Sequence, residues 1–229
     1  MKSAAETPRR NLTGAIVPAL AAAAVAGAGA LFLVINNGDF SGATAAPQGC
    51  ILMNGAENIG GPFALIDENG TRVTQADFSE GPSLLYFGFT HCPDVCPTTM
   101  YTVAEAMAQP GGYDLQAVMI SLDPARDTPA VMRAYVRTDG FPSGLVGLTG
   151  AEAQVNAVAD EFKVVHSTAP IEGRPAGEYT VNHSSFLYVM DEHWRTRAIM
   201  PTQNATPATI AQCIAAGLEH VPQELARAG

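Results

Sequence analysis

Cys92 and Cys96 stand four residues apart in the stretch LLYFGFTHCPDVCPTTM, residues 84 to 100 of a 229-residue chain. The run from Leu84 to Phe89 has the length and aromatic content of a strand. Thr90, His91 and Pro93 break it, and Pro97 with Thr98 and Thr99 opens a helical segment through Val103, Ala104 and Met107. The thiols therefore sit at a strand-to-helix junction. If the turn is helical, four residues at ~1.5 Å rise put the two α-carbons about 6 Å apart. That separation suits a disulfide. It equally suits two thiolates converging on one soft metal ion. The free N–H groups of a helix start favour anions, so these thiols should ionise more easily than a free cysteine. A structural disulfide or two inert core thiols are the plainer alternatives, but Pro93, Pro97 and Asp94 keep the loop open. Zinc is disfavoured, because no second C-x-x-C and no paired histidine lies nearby. The junction reads as a redox or metal site.

The elements that must hold this junction follow from pattern. Phe63 to Ile66 and Thr71 to Thr74 flank Asp67-Glu68-Asn69-Gly70, a hairpin turn signal. Leu84 to Phe89 is the first central strand, Thr98 to Ala108 a helix stopped by Gly111-Gly112, and Leu115 to Leu122 a second apolar strand. Pro129 to Val136 predicts a short helix with Asp127 and Thr128 as capping candidates. Ala151, Val155, Val158 and Phe162 give helical spacing to residues 151–162. Phe186 to Met190 and Arg197 to Met200 read as a closing hairpin, and Pro207 to Leu218 as the last helix. Strands alternating with helices indicate an α/β sheet with a hairpin added at one end.

Four separated motifs occur in order: FGFTHCPDVCP around the cysteines, SLDPARDTP at 121–129, GLTG at 147–150 and YTVNHSS at 179–185. Over about Gly60 to Met190 the chain resembles the Sco/SenC family of copper chaperones. The resemblance implies a thioredoxin-like fold and one copper ion, Cu(I) or Cu(II), per domain. It also implies a role in assembling the dinuclear copper centre of cytochrome c oxidase, whose copper-site subunit would be the partner. His183 matches the family's copper-binding histidine, in the polar break Asn182-His183-Ser184-Ser185 before the strand at 186, so Cys92, Cys96 and His183 are the expected ligands. Thiolate sulfur selects Cu(I) and zinc, and imidazole suits both copper states. A thiol–disulfide role using Cys92 and Cys96 as a redox pair is also attributed to the family, and a redox or copper sensor is a third reading. His183 discriminates the first two, because disulfide exchange needs only the cysteines. Other periplasmic copper chaperones or thiol reductases are further partners on this reading.

Asp123 and Arg126 are candidates for setting loop position and the field at the metal from behind the ligands, and His91, beside Cys92, for tuning thiol acidity. For Asp127 the local capping role is favoured. His166, His193 and His220 have no partner residues at ligand spacing and read as surface residues. Two departures from the family pattern stand out. Asn182 replaces the aspartate usual before the histidine, removing a charge that could orient the ring, and Asp191-Glu192-His193-Trp194 stands where a glycine turn is usual.

Residues 14–35 carry no charge, and 22 residues at ~1.5 Å reach about 33 Å, enough for a hydrocarbon core of ~30 Å. They predict one transmembrane helix after a cytoplasmic leader, residues 1–13, containing Lys2, Arg9 and Arg10. A signal peptide cut near Ala43 to Ala46 is the alternative. The expected setting is a single pass through a bacterial inner membrane, with a linker over 36–59 and the copper-binding domain, residues 60–229, in the periplasm. The first 35 residues sum to +2, which leaves −12 on the remainder of a chain of formal net charge −10. So acidic a domain is a poor partner for nucleic acid or an anionic membrane surface. Cys50 and Cys213 remain. Unpaired thiols are unusual in an oxidising compartment, and a bridge between them could pin the amino-terminal segment to the last helix.

Overall fold

The computed structural model describes residues 46–54, 59–110, 113–175 and 177–219. The expected leader and membrane span, the Gly111-Gly112 stop and His220 lie outside them. Among the described residues no helix is long and apolar enough to cross a membrane.

Among the described residues ten strands and four α-helices follow one another. Strands β1 (Ile51–Leu52), β2 (Ala64–Asp67), β3 (Arg72–Thr74) and β4 (Ser83–Gly88) come first, then α1 (Val95–Met107) and β5 (Gln116–Ser121). Next are α2 (Pro129–Val136), β6 (Val146–Thr149), α3 (Glu152–Glu161), β7 (His166–Pro170) and β8 (Tyr179–His183). The chain closes with β9 (Phe186–Met190), β10 (Thr196–Pro201) and α4 (Pro207–Glu219). Eight strands form one mixed sheet in the order β1-β10-β9-β4-β5-β6-β2-β3, while β7 and β8 pair only with each other.

The central strand is β4, parallel to β5 and antiparallel to β9, with all six residues buried. Burial on both faces is why Leu84 to Phe89 reads as a continuous apolar run and not as an alternation. Its two faces nevertheless do different work. Phe87 packs on Phe162 at the end of α3 and on Tyr188 of β9, ring centroids 5.4 and 5.9 Å away. Tyr86 and Gly88 point to the opposite face, where α1 lies. Helix α1 buries Cys96, Thr99, Met100, Val103 and Ala106, and α4 buries Ile210, Cys213, Ile214 and Gly217, each an i, i+3, i+4, i+7 stripe. The two helices pack together, and α4 covers β9 and β10.

The β2–β3 hairpin forms at the expected turn, where Asp67 Oδ1 accepts from the backbone N–H groups of Asn69 and Thr71. The β9–β10 hairpin and α2 also stand at the expected places. Helix α1 starts three residues earlier than expected, at Val95 behind Asp94. Pro97 is its third residue, where no intrahelical N–H bond would be made, so the proline is tolerated and Cys96 enters the first turn. In the β9–β10 turn Trp194 adopts φ +57°, the region a glycine would favour. Its ring is buried against Phe63 and Phe78 at 5.4 and 5.3 Å, which offsets that backbone cost.

Two segments differ from expectation. The described part of the 36–59 linker belongs to the folded body: β1 pairs antiparallel with β10, and Cys50 is disulfide-bonded to Cys213 in α4. The β7–β8 ribbon was not expected, because His166–Pro170 carries no apolar alternation; it pairs with no strand of the main sheet.

The Cys50–Cys213 bridge closes a long loop, 163 residues in sequence, and should stabilise the domain by about 2–5 kcal/mol. In a Cys92→Ser, Cys96→Ser background, reductant should lower the urea-unfolding free energy by that amount. Ready alkylation of Cys50 and Cys213 in the native, untreated protein would contradict the bridge.

Candidate metal centre

The β4–α1 junction delivers both cysteines to one end of the sheet. The chain leaves β4 at Gly88 and turns so that the Cys92 N–H donates to the Phe89 carbonyl, 3.3 Å away. The Cys96 backbone N–H, in the first turn of α1, donates to Cys92 Sγ at 3.3 Å. This is the anion-favouring helix start acting on a thiolate. Cys92 is partly exposed and Cys96 is fully buried, and neither is in a disulfide.

Cys96 is held from several sides. A Cβ on Gly88 would lie 3.1 Å from Cys96 Sγ and 2.7 Å from the Tyr86 ring, so the absence of a side chain there makes room for the sulfur. The Tyr86 hydroxyl lies 3.6 Å from Cys96 Sγ and 3.2 Å from Ser185 Oγ, which in turn accepts from Thr202 Oγ1 at 2.8 Å. On the remaining side His183 Nε2 stands 3.9 Å from Cys96 Sγ. The His183 ring is edge-on to both Tyr86 and Phe89, centroids 6.1 Å away.

His183 is the last residue of β8, not part of a loop as its polar surroundings suggested. Its Nδ1 lies 2.9 Å from the Ser184 carbonyl oxygen. In the tautomer that donates this bond, the Nε2 lone pair is left for a ligand on the Cys96 side. The orienting acceptor is therefore a backbone carbonyl, and Asn182, whose side chain is exposed, leaves that arrangement intact. His166 is not an isolated surface residue: it pairs directly across the ribbon from His183.

The two sulfurs differ electrostatically. The Cys92 thiol is lowered from 9.0 to about 5 by the hydrogen bond from Cys96, with the backbone N–H groups of Cys96 and Asp94 and the charge of His183 adding to it against partial burial. Cys96 is pushed well up, first because it is the donor to Cys92 and then by burial. One proton is thus shared by the pair and resides on the buried sulfur. Both ends of the site open onto a cleft of about 820 Å³ lined by Cys92, Val95, His183, Phe186 and Pro201 among others.

The supporting residues fall into two groups. Asp123 accepts from Arg126 Nε and from the Tyr179 hydroxyl, while Arg126 Nη1 donates to the Tyr179 carbonyl at 2.9 Å. Asp127 does not cap α2; Thr128 does, its Oγ1 accepting from Val131 N–H at 3.4 Å. The Asp127 carboxylate turns inward, fully buried, and accepts from Thr90 N–H, Thr90 Oγ1 and Ser121 Oγ. The half-exposed His91 ring is engaged elsewhere, with Nδ1 3.0 Å from Thr90 Oγ1 and 3.6 Å from Asp127 Oδ1.

Among the described residues, the ligand-type side chains whose donor atoms all fall within 4.8 Å of one another are His91, Asp123 and Asp127. Both carboxylates already accept hydrogen bonds on both oxygens, so a cation there would have to displace structural bonds. The sulfur–imidazole set is better suited to a soft metal: Cys96 is its shared member, touching Cys92 on one side and His183 on the other. Tyr86, Gly88, Ser185 and Thr202 were not singled out from sequence. The period-2 alternation of β4, which puts Tyr86 and Gly88 on one face, is the signal that could have found the first two.

The family model for SCO1/SenC matches residues 52–219. Mitochondrial SCO2 of Saccharomyces cerevisiae is 40% identical over 140 residues, 60% of this chain and 46% of that protein. The chain spans about half to two thirds of the length of such curated relatives. Among solved structures, copper-bound ScoI of Arabidopsis thaliana is 32% identical with a TM-score of 0.64, covering 70% of this chain and 98% of that one. Copper-bound ScoI of Bradyrhizobium japonicum is 36% identical with a TM-score of 0.58, covering 71% and 99%.

In the reduced, metal-free protein, alkylation should strike Cys92 first, its rate rising with pH through about 5 and flat from neutral pH upward, because the lowered thiol is already ionised there. Equal labelling of both cysteines, with a midpoint near that of a free thiol, would contradict the asymmetry.

Proposed function

The chain belongs to the SCO1/SenC family, and from that premise we propose that it binds copper as cargo through Cys92, Cys96 and His183. On this reading it serves assembly of the dinuclear copper centre of cytochrome c oxidase. The fold is the mixed α/β, thioredoxin-like fold of Sco proteins, and the Sco family is one of cytochrome c oxidase assembly proteins. The observation that carries the proposal is the approach of Cys96 Sγ to His183 Nε2 while Nδ1 is engaged by the Ser184 carbonyl. Two soft sulfurs and one oriented imidazole suit Cu(I), and the nitrogen extends the set to Cu(II). With both cysteines ionised the site would carry net −1 around Cu(I) and be neutral around Cu(II), so either state is held without a large charge penalty. Cys92 supplies a ready thiolate, and loading needs the loss of one proton from Cys96.

A second reading is supported by the asymmetry of the pair. A partly exposed thiolate at Cys92 with a protonated, buried Cys96 behind it is the arrangement of a thiol–disulfide exchanger. Cys92 would attack a partner disulfide, Cys96 would resolve the mixed disulfide, and the two electrons would leave with the partner's two thiols. The cysteines of the oxidase copper-site subunit are the substrate on this reading.

We also infer that residues 14–35 form a single-pass anchor in a bacterial inner membrane, with the domain in the periplasm. The support is an uncharged span of sufficient length preceded by Lys2, Arg9 and Arg10.

His183→Ala separates the two readings. Exchange needs a thiolate and an accessible sulfur only, so the variant should keep a measurable Cys92–Cys96 redox couple. It should lose most Cu(II) affinity, by about tenfold or more, and fail to support oxidase assembly. Cys92→Ser or Cys96→Ser should lose both properties. The checks are copper titration, thiol redox titration and oxidase activity in cells carrying only the variant. Full assembly with lost copper binding would favour the reductase, and unchanged Cu(II) affinity would remove His183 from the site.

A further inference from the structure

The site is built from two arms far apart in sequence. One arm, Phe89 to Cys96, carries the thiols; the other, the β7–β8 ribbon, carries His183 at its end. An isolated two-stranded ribbon is marginal in water, and this one pairs with no strand of the main sheet. Val181 anchors β8 in the core and the His183 ring meets Tyr86 and Phe89, so the polar ties at the far end of β8 are what remains to set its register against the cysteines.

The turn between β5 and α2, residues 121–128, touches both arms. On one side Asp127, with no exposed surface, accepts from the Thr90 N–H at 3.0 Å and the Thr90 hydroxyl at 2.6 Å, two residues before Cys92. On the other side Arg126 stacks on the Tyr179 ring, its Cζ 3.8 Å from the centroid, and donates to the Tyr179 carbonyl. The Tyr179 hydroxyl returns a bond to Asp123 at 2.8 Å. Tyr179 and His183 are the first and last residues of the same strand. The turn itself is cross-linked. The N–H groups of Arg126 and Asp127 donate to the Asp123 carbonyl, and Ser121 Oγ accepts from Asp123 N–H while donating to Asp127.

We propose that the turn from Ser121 to Thr128 is a two-sided clamp that sets the distance of His183 from the dithiol, with Arg126 and Tyr179 as positioning residues for the imidazole and Asp127 for the cysteine arm. The inference rests on the copper reading only where copper is the readout. Its two sides rest on different bonds: Arg126 and Tyr179 engage each other and Asp123, whereas Thr90 engages Asp127 and His91.

The test uses the full chain and three variants, Arg126→Gln, Tyr179→Phe and Thr90→Val. Arg126→Gln and Tyr179→Phe should raise amide hydrogen exchange over residues 179–183 of the metal-free protein at least tenfold. Losses of metal affinity on removing such supporting groups are typically about 10–100-fold, and Cu(II) affinity should fall into that range. Their dithiol–disulfide equilibrium against glutathione should stay within about twofold of wild type, a split that general destabilisation would not give. Thr90→Val should do the reverse, shifting the dithiol equilibrium and leaving the ribbon protected. Unchanged ribbon protection in Arg126→Gln and Tyr179→Phe, or equal shifts of both readouts in every variant, would overturn the clamp. Loss of ribbon protection in a protein whose wild type holds no copper through His183 would support the clamp and refute the copper reading.

Discussion

A sulfur atom with no exposed surface has to be given both space and polar partners, and Cys96 is that atom. The space comes from Gly88, where any β-carbon would meet the sulfur and the Tyr86 ring. The partners come from three directions: Cys92 through the first turn of α1, the Tyr86 hydroxyl from β4, and the His183 imidazole from β8. A neutral thiol is only a weak donor and buries readily, so these partners matter most when the sulfur gives up its proton.

The bond between the two sulfurs, with burial behind it, produces the difference between the cysteines. Cys96 keeps the shared proton because it is the donor to Cys92 and because charge is costly where it sits, and Cys92 keeps the charge because the Cys96 thiol and helix N–H groups stabilise it. A pair so arranged can offer a thiolate to an incoming metal or to a disulfide. On the copper reading, what tips it toward metal is the imidazole, carried on a ribbon that pairs with no strand of the main sheet. Metal capture and thiol exchange thus share the cysteine arm and part company at the histidine arm.

Much of this could be read before the fold was known. The apolar run of β4, the proline-led start of α2 and the β9–β10 hairpin are local signals, and each stands where pattern put it. The Cys50–Cys213 bridge was one open option for the two cysteines left over, and the structure forms it. What escaped was decided by partners distant in sequence. Asp127 and Thr128 both fit a helix cap locally, and Thr90, 37 residues away, takes Asp127 out of that role. The β7–β8 ribbon has little apolar alternation to announce it, so His166 looked solitary although it faces His183. Tyr86 looked like one more core aromatic, because a hydroxyl's partner leaves no trace in a hydrophobic pattern. Asn182 looked like a loss, yet the Ser184 carbonyl one residue beyond the histidine holds the ring.

The claim on which the account turns is that one metal is held by both arms at once. X-ray absorption at the copper edge of the loaded protein tests it most directly, because sulfur and imidazole scatter distinctly. Two sulfur donors and one imidazole nitrogen on a single copper ion are expected. A shell of oxygen donors, or of sulfur without imidazole, would contradict it.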